Sequence, residues 1–289
     1  MPDNHFQAVG EPRLPLAEQP KAATAIKDRL TIVTTYYQIP SAPRMTVLRK
    51  TIEGLRKNLD VAGCRHLVYY HDPADGTPRT RQHLENLRKL CDHYGLELYV
   101  RPDSGIKVNL IEAIGEVKTP YMLFLEYDLE YRRKIDIAKL LGVFDKYNYV
   151  NYVHFNTFMN NSLYQWGHLV QTEDRIPEVP LTRTSCWSNQ AHVVRMSKWH
   201  DEWLDIIGTD KPAKPVLGLE NRMYWDYNRD IFTIGFDEAV DKWGVYYYGA
   251  IDDGRTVRHN DGALNSGTVL EYLNKASRRL SKAVRKFGR

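Results

Sequence analysis

The sequence predicts an α/β protein whose mostly parallel sheet is flanked by helices. Three observations carry this. Short apolar runs alternate with segments of helical periodicity through the first half of the chain. The run Tyr121-Met122-Leu123-Phe124-Leu125 is too short for a helix and has no polar interruption, as in a strand buried on both faces. With 289 residues, 43% hydrophobic and 26% charged, the chain can bury a substantial core.

Residues 1–28 are rich in Pro, Ala and charge without sustained periodicity, and read as a loose leader. Leu30 to Tyr37 is β-branched and aromatic, hence a strand, and a loop with Pro40, Ser41 and Pro43 follows. Val47, Leu48, Ile52, Leu55 and Leu59 recur at helical spacing, with Gly54 the one weak residue among them. His66 to Tyr70 gives a second strand that runs out at His71-Asp72-Pro73. Thr77-Pro78 is a helix start, a hydroxyl cap followed by proline in the first turn, and Leu84, Leu87, Leu90, Cys91 and Tyr94 continue it to Gly95. Leu96 to Val100 is a third strand, Asn109 to Val117 a helix, and the run at 121–125 a fourth strand. Ligands of such a sheet bind at the carboxyl ends of its strands.

The second half is less regular. A helix is expected over Ile135 to Tyr147 and a strand over Tyr149 to Phe155. Residues 156–187 have the composition of loops that cover a site. Ala191 to Arg195 reads as a strand. Ser197 caps a helix with Trp199, Trp203, Leu204 and Ile207 on one face, and Gly218 to Asn228 is a helix with Glu220 in its first turn. Short strands are expected at Ile231 to Ile234 and Gly244 to Tyr248, then a polar segment over 252–262. From 268 to 289, Leu273, Leu280, Val284 and Phe287 lie on one helical stripe, with seven Lys or Arg between Lys275 and Arg289 around it: a basic amphipathic helix.

The fourth strand ends in acid. Glu126, Asp128 and Glu130 alternate, so in an extended chain they share one face. Crowded like charges cost free energy unless a cation or a donor-rich ligand sits among them, so the cluster reads as a divalent-metal site or as a solvated acidic turn. The net charge of +4 is slight and does not demand nucleic acid. Three cysteines without metal or redox spacing argue against a disulfide framework and for a reducing compartment. No apolar run approaches the ~20 residues of a membrane span and no signal-peptide core stands in the first thirty residues, so a soluble cytoplasmic protein is expected.

Over residues 30 to about 262 the order of these pieces resembles the nucleotide-sugar glycosyltransferases of the GT-A fold, most like family 2. The resemblance implies a leader (1–28), a GT-A catalytic domain (29–267) and a terminal basic helix (268–289). It implies base and ribose contacts from Thr34, Thr35, Tyr36 and Asp72, with Lys107 and Asn109 on the helix before the metal strand. Glu126-Tyr127-Asp128 stands where the family has Asp-x-Asp, which implies a Mn2+ or Mg2+ held by Glu126, Asp128 and His259, Glu126 partly through water or ribose. Arg255 and Arg258 could neutralise phosphate. The segment with Trp187, Ser188, Asn189 and His192 is similar to that beneath donor sugar and acceptor. Glu220-Asn221 resembles the Glu-Asp motif carrying the catalytic base, with only the first acid kept. Tyr164, Trp166 and Trp187 could stack on a sugar face.

Each residue also has a plainer reading: His259 as a surface loop residue, Glu220 as a carboxylate favoured by the helix dipole, and Lys107, Arg255 and Arg258 as solvated charges. The implied function is transfer from a nucleotide diphosphate sugar, UDP-linked by family habit, to a carbohydrate or lipid-linked glycan, with inversion; a retaining course stays open if Glu220 is not the base. A sugar nucleotidyltransferase shares the layered sheet, but Tyr36-Tyr37-Gln38-Ile39-Pro40 stands where its glycine-rich phosphate loop would. A non-catalytic nucleotide- or glycan-binding module is the third alternative, and it need not show metal-linked affinity. For the terminal helix, an anionic membrane surface uses both faces, docking on its own domain leaves the basic face unexplained, and nucleic acid leaves the apolar stripe unused.

Overall fold

The computed structural model describes residues 25–37, 45–102, 105–162, 168–207 and 219–260. Four parallel strands form half of the main sheet: β1 (Leu30–Tyr37), β2 (His66–Asp72), β3 (Glu97–Pro102) and β4 (Tyr121–Glu126), in spatial order β3-β2-β1-β4. The helices α1 (Thr46–Asn58), α2 (Pro78–Tyr94) and α3 (Ile106–Glu116) make the crossovers. Local chemistry sets their ends. The Thr77 hydroxyl accepts from the Thr80 amide at 3.2 Å, and Gly95 closes α2 in the left-handed region at φ 62°. Met122, Leu123, Phe124 and Leu125 are fully buried, as the unbroken apolar run requires.

Beyond β4 come β5 (Leu129–Tyr131), α4 (Ile137–Lys146), β6 (Tyr152–His154), β7 (Val170–Thr172), β8 (Leu181–Thr184) and β9 (His192–Arg195). A continuous helical stretch follows: α5 (Met196–Lys198), a π-helical part (Trp199–Trp203) and α6 (Leu204–Ile207). The described fold ends with α7 (Leu219–Ile234), α8 (Phe236–Trp243), β10 (Val245–Tyr248) and β11 (Val257–His259). The nine-stranded sheet runs β3-β2-β1-β4-β9-β6-β10-β8-β7, and β5 pairs with β11 apart from it. Strand β9 is antiparallel to both neighbours, with His192 opposite Phe124 of β4 and His154 of β6. The start of β9 therefore lies beside the carboxyl end of β4, which brings the segment before His192 to Glu126.

Three expectations are corrected. Ile231 to Ile234 is the last turn of α7, not a strand. Its β-branched residues suit either state, and tertiary contacts decide: Asp230 accepts from the Trp243 indole at 2.7 Å and the Lys242 ammonium at 2.8 Å, anchoring the helix to α8, and Gly235 at φ 92° then breaks it. Residues 156–187 are not loops throughout, since β7 and β8 extend the sheet. Strand β8 hid because its inward Arg183 is held by Asp237 at 2.7 Å and by the adjoining Glu173 and Asp241. The polar segment 252–262 contains β11. The leader through residue 24, the loop with Pro40, Ser41 and Pro43, Tyr164, Trp166 and the helix 268–289 lie outside the described residues.

Three histidines in the sheet region are held neutral by burial. His66 and His192 are each pushed down to about 3 and His154 well below its ordinary value. Because the folded values lie below the unfolded one near 6.5, their share of stability is present above pH 6.5 and is lost as pH falls towards 3. His66 and His192 can each withdraw up to about 2 kcal/mol between pH 6.5 and 5. Thermal melts across that interval should fall steeply, and His66→Gln should flatten the curve; a melting temperature independent of pH there would contradict the burial of these rings.

Candidate active site

Strand β4 ends at Glu126, and Tyr127-Asp128 turn the chain into β5. The Thr51 hydroxyl donates to the Tyr127 carbonyl at 2.6 Å, and the Tyr127 amide donates to the Thr35 carbonyl at 3.2 Å. Helix α1 lies so close that a Cβ on Gly54 would stand 2.8 Å from Glu130 Cγ and 3.3 Å from the Tyr131 amide, which explains a glycine inside that helix. The turn separates the three acids. Glu130 does not share a face with the others: it pairs with Arg132 at 2.8 Å and Arg258 at 3.1 Å. Strand β11, opposite β5, instead brings His259 to Asp128, with Nδ1 2.9 Å from Oδ2. The Asn260 amide donates to the Asp128 carbonyl at 2.8 Å.

Burial, then the neighbouring Asp128, push the Glu126 carboxyl up to about 8; His259 opposes this and Glu220 adds to it. Without a cation beside it, Glu126 is therefore held largely protonated near neutral pH. Among the described residues no three His, Cys, Asp or Glu side chains stand close enough to hold a metal ion unaided. Asp128 and His259 form an oxygen–nitrogen donor pair that suits Mn2+ or Mg2+ if ligand oxygens complete the shell.

Glu220 opens α7, and two groups of the 187–192 segment hold its carboxylate: the Ser188 hydroxyl and the Asn189 amide, the latter at 3.2 Å. The segment is fixed from beneath by Tyr152, whose hydroxyl donates to the Ser188 carbonyl and lies 2.8 Å from His192 Nδ1. His192 is fully buried, stacked on Phe124 with ring centroids 5.1 Å apart, so it supports the segment rather than facing a sugar. Trp187 is 1% exposed, stacks on Tyr152 at 5.3 Å and forms part of the wall of a cavity of about 400 Å3. His154, Cys186, Ser188, Glu220 and Tyr224 also line it.

The other predicted contacts are scattered. Thr34 is in the core, its hydroxyl 2.8 Å from His66 Nε2, and Thr35 is buried beside it. The Tyr36 hydroxyl meets His83 Nε2 at 2.8 Å in a second core cluster. Asp72 ends β2 and accepts from the Ala74 amide at 3.0 Å. Lys107 donates to the Ile207 carbonyl at 2.7 Å, Asn109 is buried in α3, Arg255 is exposed, and Arg258 is engaged by Glu130. Sequence reasoning missed Tyr152, His154 and Tyr224; the first two alternate on a predicted strand, which was the available signal, while Tyr224 had none.

The model of glycosyl transferase family 2 matches residues 32–210. The chain belongs to this family. Its fold is of the GT-A type, with the acidic end of β4 inside the matched region. No match was found among curated proteins. Among solved structures, TarS 1–349 of S. aureus is 11% identical, with a TM-score of 0.46 over 80% of this chain and 60% of that one. The mannosyltransferase PcManGT from Pyrobaculum calidifontis, in complex with GDP-Man and Mn2+, is 13% identical, with a TM-score of 0.45 over 89% and 64%. A CMP:2-keto-3-deoxy-manno-octonic acid synthetase complexed with CTP is 12% identical, with a TM-score of 0.42 over 88% and 99%. Likeness this low does not carry function from one chain to another. The chain spans less than two thirds of the TarS fragment and of the mannosyltransferase.

Proposed function

We propose that this enzyme moves a sugar from a nucleotide diphosphate sugar, UDP-linked by resemblance to the family, to a hydroxyl of a carbohydrate or lipid-linked glycan, with inversion. One observation carries the reading: a carboxylate at the start of α7, held by Ser188 and Asn189, borders a cavity while its charge is felt at Glu126 on the acidic end. A candidate base on the cavity wall thus lies within electrostatic reach of the acidic end.

Glu220 accepts the proton of the acceptor hydroxyl as its oxygen bonds to the anomeric carbon. The bond from that carbon to the diphosphate breaks, and its electron pair leaves with the phosphate oxygen. A divalent ion, when bound, acts as a Lewis acid on the departing diphosphate. Asp128 and His259 would hold it, and its charge would favour the ionised form of Glu126 beside them. Ser188 and the Asn189 amide orient Glu220, and buried Tyr152 and His192 hold those two in place. Incubating the protein with a panel of nucleotide sugars, with and without Mn2+, tests the reading: metal-dependent release of nucleotide diphosphate is expected, and release from none of them would reject it.

Attachment to an anionic membrane surface is a second part of the proposal. No described helix is long and apolar enough to cross a membrane. The sequence over 268–289 is basic and amphipathic, and α7 exposes Trp225 at 59% and Phe232 at 87%. Arg222 and Arg229 fall on the same stripe at steps of three and four residues, both exposed while each pairs with Asp226, at 2.7 and 2.8 Å. Flotation with liposomes of graded anionic content should carry up the full chain and, far less, a chain ending near Gly267; equal binding by both, or by neither, would reject attachment through the terminal segment.

A further inference from the structure

The cavity beside Glu220 is lined, among the described residues, by aromatic rings and uncharged polar groups around one carboxylate. Four aromatic rings line it, from Phe158, Trp187, Tyr224 and Tyr247. Its polar lining includes the Gln190 and Asn221 amides and the imidazoles of His154 and His168. Burial holds His168 below its ordinary value and His154 well below it, so both are uncharged near neutral pH. No Lys or Arg is among the described lining residues, and Glu220 is the one carboxylate. Among the described residues, a negatively charged group here would meet the Glu220 carboxylate and no guanidinium or ammonium to pair with.

Aromatic faces and amides suit a pyranose: rings take its C–H face, and side-chain amides take its hydroxyls. About 400 Å3 is near the lower end of the ~300–1,000 Å3 usual for small-ligand sites, which fits the end of a glycan rather than a long stretch of it. Resting on the transfer reaction proposed above, we propose that this cavity receives an uncharged terminal sugar of the acceptor, and that the enzyme rejects acceptors whose terminal sugar carries a carboxylate or a phosphate.

The test uses the full chain with Mn2+ and the nucleotide sugar it turns over. Acceptors are supplied in matched sets that differ only in charge: an oligosaccharide ending in a neutral hexose, its hexuronic acid counterpart and its 6-phosphate. Release of nucleotide diphosphate above the acceptor-free rate is measured, together with glycosylated product. The neutral member should be used with kcat/KM at least about tenfold above either charged one, chiefly through KM. Asn221→Arg, which puts a cation in the wall, should narrow or reverse that ratio. Equal or better use of the charged members by the unaltered protein would overturn the inference, as would an unchanged ratio in a folded N221R protein. Calorimetry with nucleoside diphosphate separates the two levels: absent binding counts against glycosyl transfer itself, whereas binding with no stimulation by any member counts against the cavity as the acceptor site.

Discussion

Asp128→Ala is expected to abolish metal-dependent donor binding while the protein stays folded. The side chain lies in the turn after β4 rather than within the nine-stranded sheet, and it meets His259 at 2.9 Å. What holds the turn is backbone: the Asp128 carbonyl takes the Asn260 amide at 2.8 Å, and the Tyr127 carbonyl takes the Thr51 hydroxyl at 2.6 Å. Alanine keeps both. Losing the contact to His259, a half-exposed residue, should cost about 1 kcal/mol of stability. The effect on a cation is larger, because Asp128 is both a ligand and a source of the negative charge that favours an ion here. Removing it also withdraws one of the charges that push the Glu126 carboxyl up, while burial, the larger cause, keeps it raised. Calorimetry of nucleoside diphosphate binding with and without Mn2+ should show the manganese-linked gain drop by at least about 100-fold, with far-UV circular dichroism unchanged. Retention of that gain would remove Asp128 from the metal site.

The first half of this fold was legible because strands buried on both faces read as unbroken apolar runs, and the helices between them carry a clear stripe and a clear stop such as Gly95. The same property hid the direction of side chains at the site. In a strand with two buried faces, nothing local says which residues meet a ligand, so Thr34 and Tyr36 were assigned to the nucleotide although their hydroxyls are taken by His66 and His83. The alternation of Glu126, Asp128 and Glu130 suggested one acidic face; a two-residue turn undid it, sending Glu130 to Arg132 and Arg258. The meeting of Asp128 and His259, 131 residues apart, depends on the β5–β11 pair, two three-residue strands that no periodicity rule detects. Only the family pattern brought them together beforehand. Glu220, Ser188 and Asn189 were likewise named from motifs, and the structure adds what motifs lack, the hydrogen bonds joining them.

Glu220→Gln should lower turnover by at least about 100-fold while donor affinity is kept. Gln has the shape of Glu, its amide oxygen can still accept from the Ser188 hydroxyl and the Asn189 amide, and the side chain is exposed, so packing is not disturbed. The charge lost from the first turn of α7 withdraws about 0.3–1 kcal/mol of helix-dipole stabilisation, too little to unfold the protein. What disappears is the lone pair that takes the acceptor proton. A donor bound at the acidic end has no need of that lone pair, and removing a negative charge felt at Glu126 would if anything ease the approach of a diphosphate. Single-turnover rates and calorimetric donor affinities on the same preparation distinguish the two roles available to this residue. A fall in rate with unchanged affinity and an unchanged melting temperature marks the base. A lowered melting temperature with an unchanged rate would leave Glu220 as a helix-terminal carboxylate and move the base elsewhere in the cavity wall.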